Sequence, residues 1–203
     1  RVVNVSSHGH HFAPFNFDDP NFLHRDYETL QAYGQSKTAV NLFSVELDSR
    51  AKSTDVRVFS LHPGSIAGTE LGREASLELF QKMGFCDAEG NLLPEVLASL
   101  KTIPQGAATT VWCATSPLLK NLGGIYCEDN EVAPVSTDGA MSPGVTSFSV
   151  DEDNAKRLWK WSEEITGITF ENRLKDSRDL NVFAYRNYYN GGGVAIGDLT
   201  GDG

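Results

Sequence analysis

Long apolar runs are missing from this chain. No stretch approaches the ~18 uninterrupted residues a membrane-spanning helix requires, and no charged start followed by an apolar stretch marks a signal peptide. Cysteine is scarce. The 203 residues include three, Cys86, Cys113 and Cys127, an odd number with no Cys-x-x-Cys spacing. That excludes a disulfide framework and a zinc-ribbon type of site, and the three read as reduced thiols of a cytoplasmic protein. Positive charge is short as well: 17 Lys and Arg against 27 Asp and Glu leave a net charge of −10. So acidic a surface disfavours nucleic acid and anionic membranes as partners. What remains is 40% hydrophobic and 22% charged, the composition of a globular domain rather than a disordered chain, a collagen or a coiled coil.

Patterning gives the order of elements. Residues 2–6 read as a buried strand, by their apolar run and branched side chains. Residues 8–29 are polar, with four His and two Pro, and read as a long loop. Residues 30–52 read as a helix with a broad apolar stripe of Ala39, Val40, Leu42, Phe43, Val45 and Leu47. A second strand over 56–61 closes on His62-Pro63-Gly64, a strong turn signal. Short helical stretches are expected near 73–84 and 91–101, then a helix from Pro104 to about Thr115. Residues 122–127 form a third strand candidate, and 151–166 a helix ended by Gly167. Strand, helix, strand, helix, strand is the signature of a parallel α/β sheet.

Three strands are few for a sheet that must be covered on both faces. Arg1 opens directly on a core strand. The expectation is therefore the carboxyl-terminal half of a doubly wound parallel-sheet domain over residues 1–168. A charged linker follows over 169–180, and a truncated, unrelated tail over 181–203.

Tyr33 and Lys37 stand four apart near the start of the first long helix, a spacing that puts both on one face with Cβ atoms about 5–6 Å apart. An ammonium ~6 Å from a phenol at an effective dielectric of ~20 favours the phenolate by about 3 kcal/mol, or about 2 pKa units. That brings the phenol toward the range of a general acid or base. With six Tyr and eight Lys in the chain, such a pair also arises by chance as a surface contact. Context adds weight. Ligands of open parallel sheets bind beyond the carboxyl ends of the strands, where Ser7, the first turn of the Tyr33 helix and Pro63-Gly64 all fall.

The stretches RVVNVSS (1–7), AYGQSK (32–37), RVFSLHPGSIAGTEL (57–71), IPQGAATTVWCATSP (103–117) and GGIYCED (123–129) together resemble the short-chain dehydrogenases/reductases. The long HGHH-containing loop resembles the branch of retinol dehydrogenases and WW-domain oxidoreductases. The resemblance implies a Rossmann fold, an NAD or NADP cofactor and a small carbonyl or alcohol substrate. It makes Tyr33 the catalytic acid/base and Ser7 the hydroxyl that holds the substrate oxygen. Lys37 would lower the Tyr33 pKa and bind the nicotinamide ribose. Pro63 and Gly64 would shape the loop over the nicotinamide, the Ile66 backbone would face its carboxamide, and Thr69 would contact cofactor phosphates. Gly68 occupies the place five after the Pro where the family carries Thr. The family's glycine-rich TGxxxGxG and NNAG motifs are not in this sequence. The resemblance therefore implies an active parent enzyme and an inactive isolated chain.

Other patterns compete. His8, His10 and His11 invite a metal reading, but their spacing suits no common closed shell, and a substrate-side loop with exposed imidazoles is the better reading. Asp198-Leu-Thr-Gly-Asp202-Gly203 has the form of half a calcium loop. Residues 181–203 resemble the opening of FG-GAP/VCBS-type repeats, which implies an alternative: a non-enzymatic calcium-binding or adhesion repeat protein with an appended oxidoreductase-like segment. Trp112 and Trp159 lie in apolar helical patterns and are expected in the core.

Overall fold

The computed structural model describes residues 1–67, 69, 75–136 and 142–167. The expected linker over 169–180 and tail over 181–203 lie outside the described residues, as do Gly68 and residues 73–74. Three strands run parallel and side by side: β1 (Val2–Val5), β2 (Val58–His62) and β3 (Ile125–Glu128). A short β4 (Glu131–Val132) pairs antiparallel with β3. The two residues between them, Asp129 and Asn130, have φ of 50° and 62°, the left-handed pair of a two-residue hairpin turn. A separate parallel pair joins β5 (Val135–Ser136) to β6 (Val145–Thr146).

The connections are helical. α1 (Thr29–Arg50) joins β1 to β2. α2 (Leu77–Lys82), α3 (Pro94–Ser99) and α4 (Ile103–Thr115) lie between β2 and β3. α4 begins one residue before Pro104, because Thr102 and Gln105 form a reciprocal capping box. α5 (Glu152–Thr166) is capped by Asp151 and ends on Gly167 at φ 65°, a left-handed position where glycine carries no Cβ penalty. Both ends of α5 match the sequence expectation. The loop expected over 8–29 contains a 3-10 turn at His8–Phe12, with the Ser7 side chain accepting from the Gly9 amide. No helix among the described residues is long and apolar enough to cross a membrane.

The two sheet faces differ. On one, Phe59, Leu61 and Cys127 pack with Cys113 of α4 and with Leu119, and Trp112 lies partly buried against this cluster. On the other, register aligns Asn4, Ser60 and Tyr126, and α1 meets them with a polar seam. Thr38, Asn41 and Ser44 are fully buried, and Asn4 Nδ2 donates to Ser44 Oγ at 2.9 Å. The expected apolar stripe of α1 is thus not its innermost face; of those residues only Leu42 is fully buried. Hydrogen bonding across this seam is partial: Asn4 Oδ1, both polar side-chain atoms of Asn41 and the Tyr126 hydroxyl are buried without a hydrogen-bond partner among the described residues. The apolar side of α1 turns instead to α5, where Leu42 packs with Ala155 and Leu158, and Phe43 stacks on Trp159 at 5.4 Å.

Candidate active site

Ser7, Tyr33 and Lys37 come together at the carboxyl edge of the parallel strands. Ser7 follows β1 directly, and its Oγ accepts the Gly9 amide at 3.0 Å. The 3-10 turn then brings Gly9 against the Tyr33 ring: a Cβ on Gly9 would lie 2.7 Å from Tyr33 Cδ1. A side chain there would displace the ring. Ser7 Oγ lies on the same spot, 3.4 Å from where that Cβ would be, so the hydroxyl and the Tyr33 ring flank Gly9 together. Lys37 Nζ lies 5.6 Å from the Tyr33 ring centre. Ser6 Oγ fixes this turn of α1 from below, donating to the Lys37 carbonyl at 3.0 Å.

The expected acidification of Tyr33 by Lys37 does not appear. Burial raises the Tyr33 phenol above its ordinary range, and the neighbouring Ser7 hydroxyl only partly offsets this. The amine sits over the ring face, where it meets the π cloud more than the oxygen. Burial likewise lowers the Lys37 amine. Helical spacing sets only charge against charge, and desolvation of the ring is here the larger effect.

The loop after β2 lies on the same edge. Gly64 adopts φ 90°, with the Lys101 side chain filling the space a Cβ would take. Ile66 forms a parallel bridge with Lys101. That bridge uses the Ser65 carbonyl and the Ala67 amide, so the N–H and C=O of Ile66 stay outside it. Thr69 is exposed, and no hydrogen bond among the described residues ties it to this group.

Four histidines crowd the same edge. His8 stacks on His11 at 4.4 Å and meets His62 edge-on at 5.6 Å, while His10 lies 4.3 Å from His11. Burial lowers His8 and His62 to about 4 and His10 to about 3, with repulsion inside the cluster adding to it. No group of three or more His, Cys, Asp or Glu among the described residues is placed to hold a metal ion. The exposed imidazoles expected of a substrate-side loop are not found at His10 and His11, which are buried; the two protein hydrogen bonds of His10 depend on contacts that no local pattern reveals.

The side chains present fit one end of a dinucleotide. Lys37 offers a half-buried amine with no hydrogen bond or ion pair among the described residues to a ribose. The N–H and C=O of Ile66, outside the bridge to Lys101, offer a donor–acceptor pair to a carboxamide.

No protein-family model matches the chain. Over 165 residues it is 41% identical to a "Probable oxidoreductase" of Streptomyces lividans, covering 81% of this chain and 54% of that one. It is 35% identical over 170 residues to a short-chain dehydrogenase/reductase of Penicillium roqueforti, covering 83% and 47%. Against retinol dehydrogenase 13 of Mus musculus it is 33% identical over 168 residues, covering 83% and 46%. The chain is thus related to the short-chain dehydrogenase/reductase oxidoreductases, retinol-dehydrogenase-like members included. It spans about half the length of these curated relatives.

Proposed function

We propose that this chain carries the proton-transfer half of an NAD(P)-dependent oxidoreductase that interconverts a carbonyl and an alcohol. The observation that supports this best is the grouping of the Ser7 hydroxyl, the Tyr33 ring and the Lys37 amine around Gly9 at the carboxyl edge of a parallel sheet. Ser7 holds the substrate oxygen by a hydrogen bond. Tyr33 gives its proton to that oxygen on reduction and recovers one on oxidation. A phenol kept above its ordinary range is protonated at neutral pH, the state a general acid needs. Lys37 holds the ribose hydroxyls and so sets where the nicotinamide meets the substrate. The nicotinamide cofactor, when bound, supplies or accepts the hydride. The substrate class is a small lipophilic alcohol or carbonyl compound, in keeping with the retinol-dehydrogenase-like relatives.

The isolated chain is inactive in this reading, because its sequence has no glycine-rich turn to bind a pyrophosphate. Titration of the 203-residue chain with NADH and with NADPH is expected to show no micromolar binding, and such binding would refute this point. Activity is expected in a chimera in which this chain replaces the matching 165 residues of the Streptomyces lividans relative. Loss of NAD(P)H absorbance with a panel of aldehydes measures it. A folded chimera that reduces no aldehyde, while the intact relative does so, would contradict the assignment.

A further inference from the structure

His10 is fully buried, and neither of its ring nitrogens is idle. Nδ1 lies 2.7 Å from the Ser7 carbonyl oxygen, and Nε2 accepts the Thr146 amide at 3.2 Å. A carbonyl only accepts and an amide only donates, so the two bonds together demand the neutral Nδ1–H imidazole. A charged ring would set Nε2–H against the Thr146 N–H. Burial favours the neutral form.

The Thr146 end is itself anchored to the Tyr33 helix. Thr146 Oγ1 and Ser149 Oγ are 2.7 Å apart, and Ser149 Oγ and Thr38 Oγ1 3.3 Å apart. Thr38 Oγ1 donates to the Ala13 carbonyl at 2.8 Å. One consistent run of donors therefore passes from Thr146 through Ser149 and Thr38 to Ala13. Thr38 is the neighbour of Lys37. The segment around β6 thus grips the site at two points: the main chain of Ser7 through His10, and α1 through Thr38.

We propose that His10 is a positioning residue of this site, locking the Ser7 carbonyl to the Thr146 amide and so setting where the Ser7 hydroxyl sits beside the Tyr33 ring. The proposal rests on the oxidoreductase reading for its purpose, though not for its test. His10 touches neither the phenol nor the hydroxyl and acts only through the backbone of Ser7. The rigid ring spans two main-chain groups that lie 139 positions apart in the chain, counting from Ser7 to Thr146.

The test reads the Tyr33 phenol in the 203-residue chain, without cofactor or turnover. Tyrosine is labelled with 13C at Cζ, the Tyr33 signal is assigned with Tyr33→Phe, and its alkaline titration is followed by NMR. Ser7→Ala removes the hydroxyl beside the Tyr33 ring and should move the midpoint up. His10→Phe fills the cavity but offers neither bond, and should give the same upward shift. The double variant should shift no further. His10→Asn, which keeps a donor near the Ser7 carbonyl, should restore most of the wild-type midpoint. If His10→Phe does not fold, Thr146→Pro replaces it. Thr146 has φ −69°, within the range of proline, and the change deletes the amide that His10 accepts; it should also raise the midpoint. A merely structural histidine would lower thermal stability and leave the phenol where it was. An unmoved Tyr33 midpoint in His10→Phe or Thr146→Pro, with Ser7→Ala shifted, would overturn the proposal. So would an unmoved midpoint in Ser7→Ala itself. A chimera without turnover would leave these outcomes intact, so failure of the oxidoreductase reading is separable from failure of this one.

Discussion

Tyr33→Phe is expected to lower turnover of the chimera at least 100-fold, with cofactor affinity nearly unchanged. A positioned proton donor contributes about 10²–10⁴ in rate, or roughly 3–5 kcal/mol in the barrier. Phenylalanine keeps the ring that fills the space beside Gly9, so folding is preserved and only the hydroxyl is lost. Lys37→Ala should behave differently, lowering turnover and weakening cofactor binding together, because its amine serves both. Steady-state kinetics with separate cofactor titrations distinguish the two. Retention of more than about a tenth of wild-type turnover by Tyr33→Phe would remove the proton-donor role.

The second large effect is acid destabilisation. Burial first, then mutual repulsion, holds His8 and His62 at about 4, and His10 at about 3, in the folded chain. An unfolded histidine titrates near 6.5. Between these values the unfolded chain binds more protons, so stability rises with pH. The contribution is complete above about 6.5 and is lost as pH falls toward the folded values. Each histidine contributes at most about 1.4 kcal/mol per pH unit, and the partly exposed His8 and His62 contribute less. The expected loss between pH 7 and pH 5.5 is about 2–3 kcal/mol. The net charge of −10 becomes smaller over the same window, which relieves self-repulsion and works in the opposite direction. A loss is therefore diagnostic of the cluster. Urea unfolding followed by tryptophan fluorescence measures it, and a His8→Gln/His62→Gln variant should show a flatter profile. Constant stability across this window in the wild-type chain would contradict burial of neutral histidines.

Much of this was legible in local pattern. The branched runs marked β1 and β2, and Gly167 marked the end of α5. Four-residue spacing put Tyr33 and Lys37 on one face, and strand topology put Ser7 on their edge. What escaped depends on partners distant in sequence. The buried seam of α1 is polar because Asn4 and the sheet lie against Thr38, Asn41 and Ser44; a helix read alone assigns its apolar side to the interior. β5 and β6 have two residues each, too few for any periodicity. The sign of the Tyr33 shift depends on how deeply the ring is buried, a quantity that spacing does not contain. The role of His10 depends on Thr146, which no local pattern connects to it.

Replacing the Tyr33 phenol by a more acidic one tests the account most directly. With 3-fluorotyrosine at position 33 of the chimera, the limb of the turnover–pH profile that reports the general acid should move to lower pH, in step with the acidity of the substituted phenol. A profile that keeps the wild-type limb would mean that the proton reaching the substrate oxygen comes from another group.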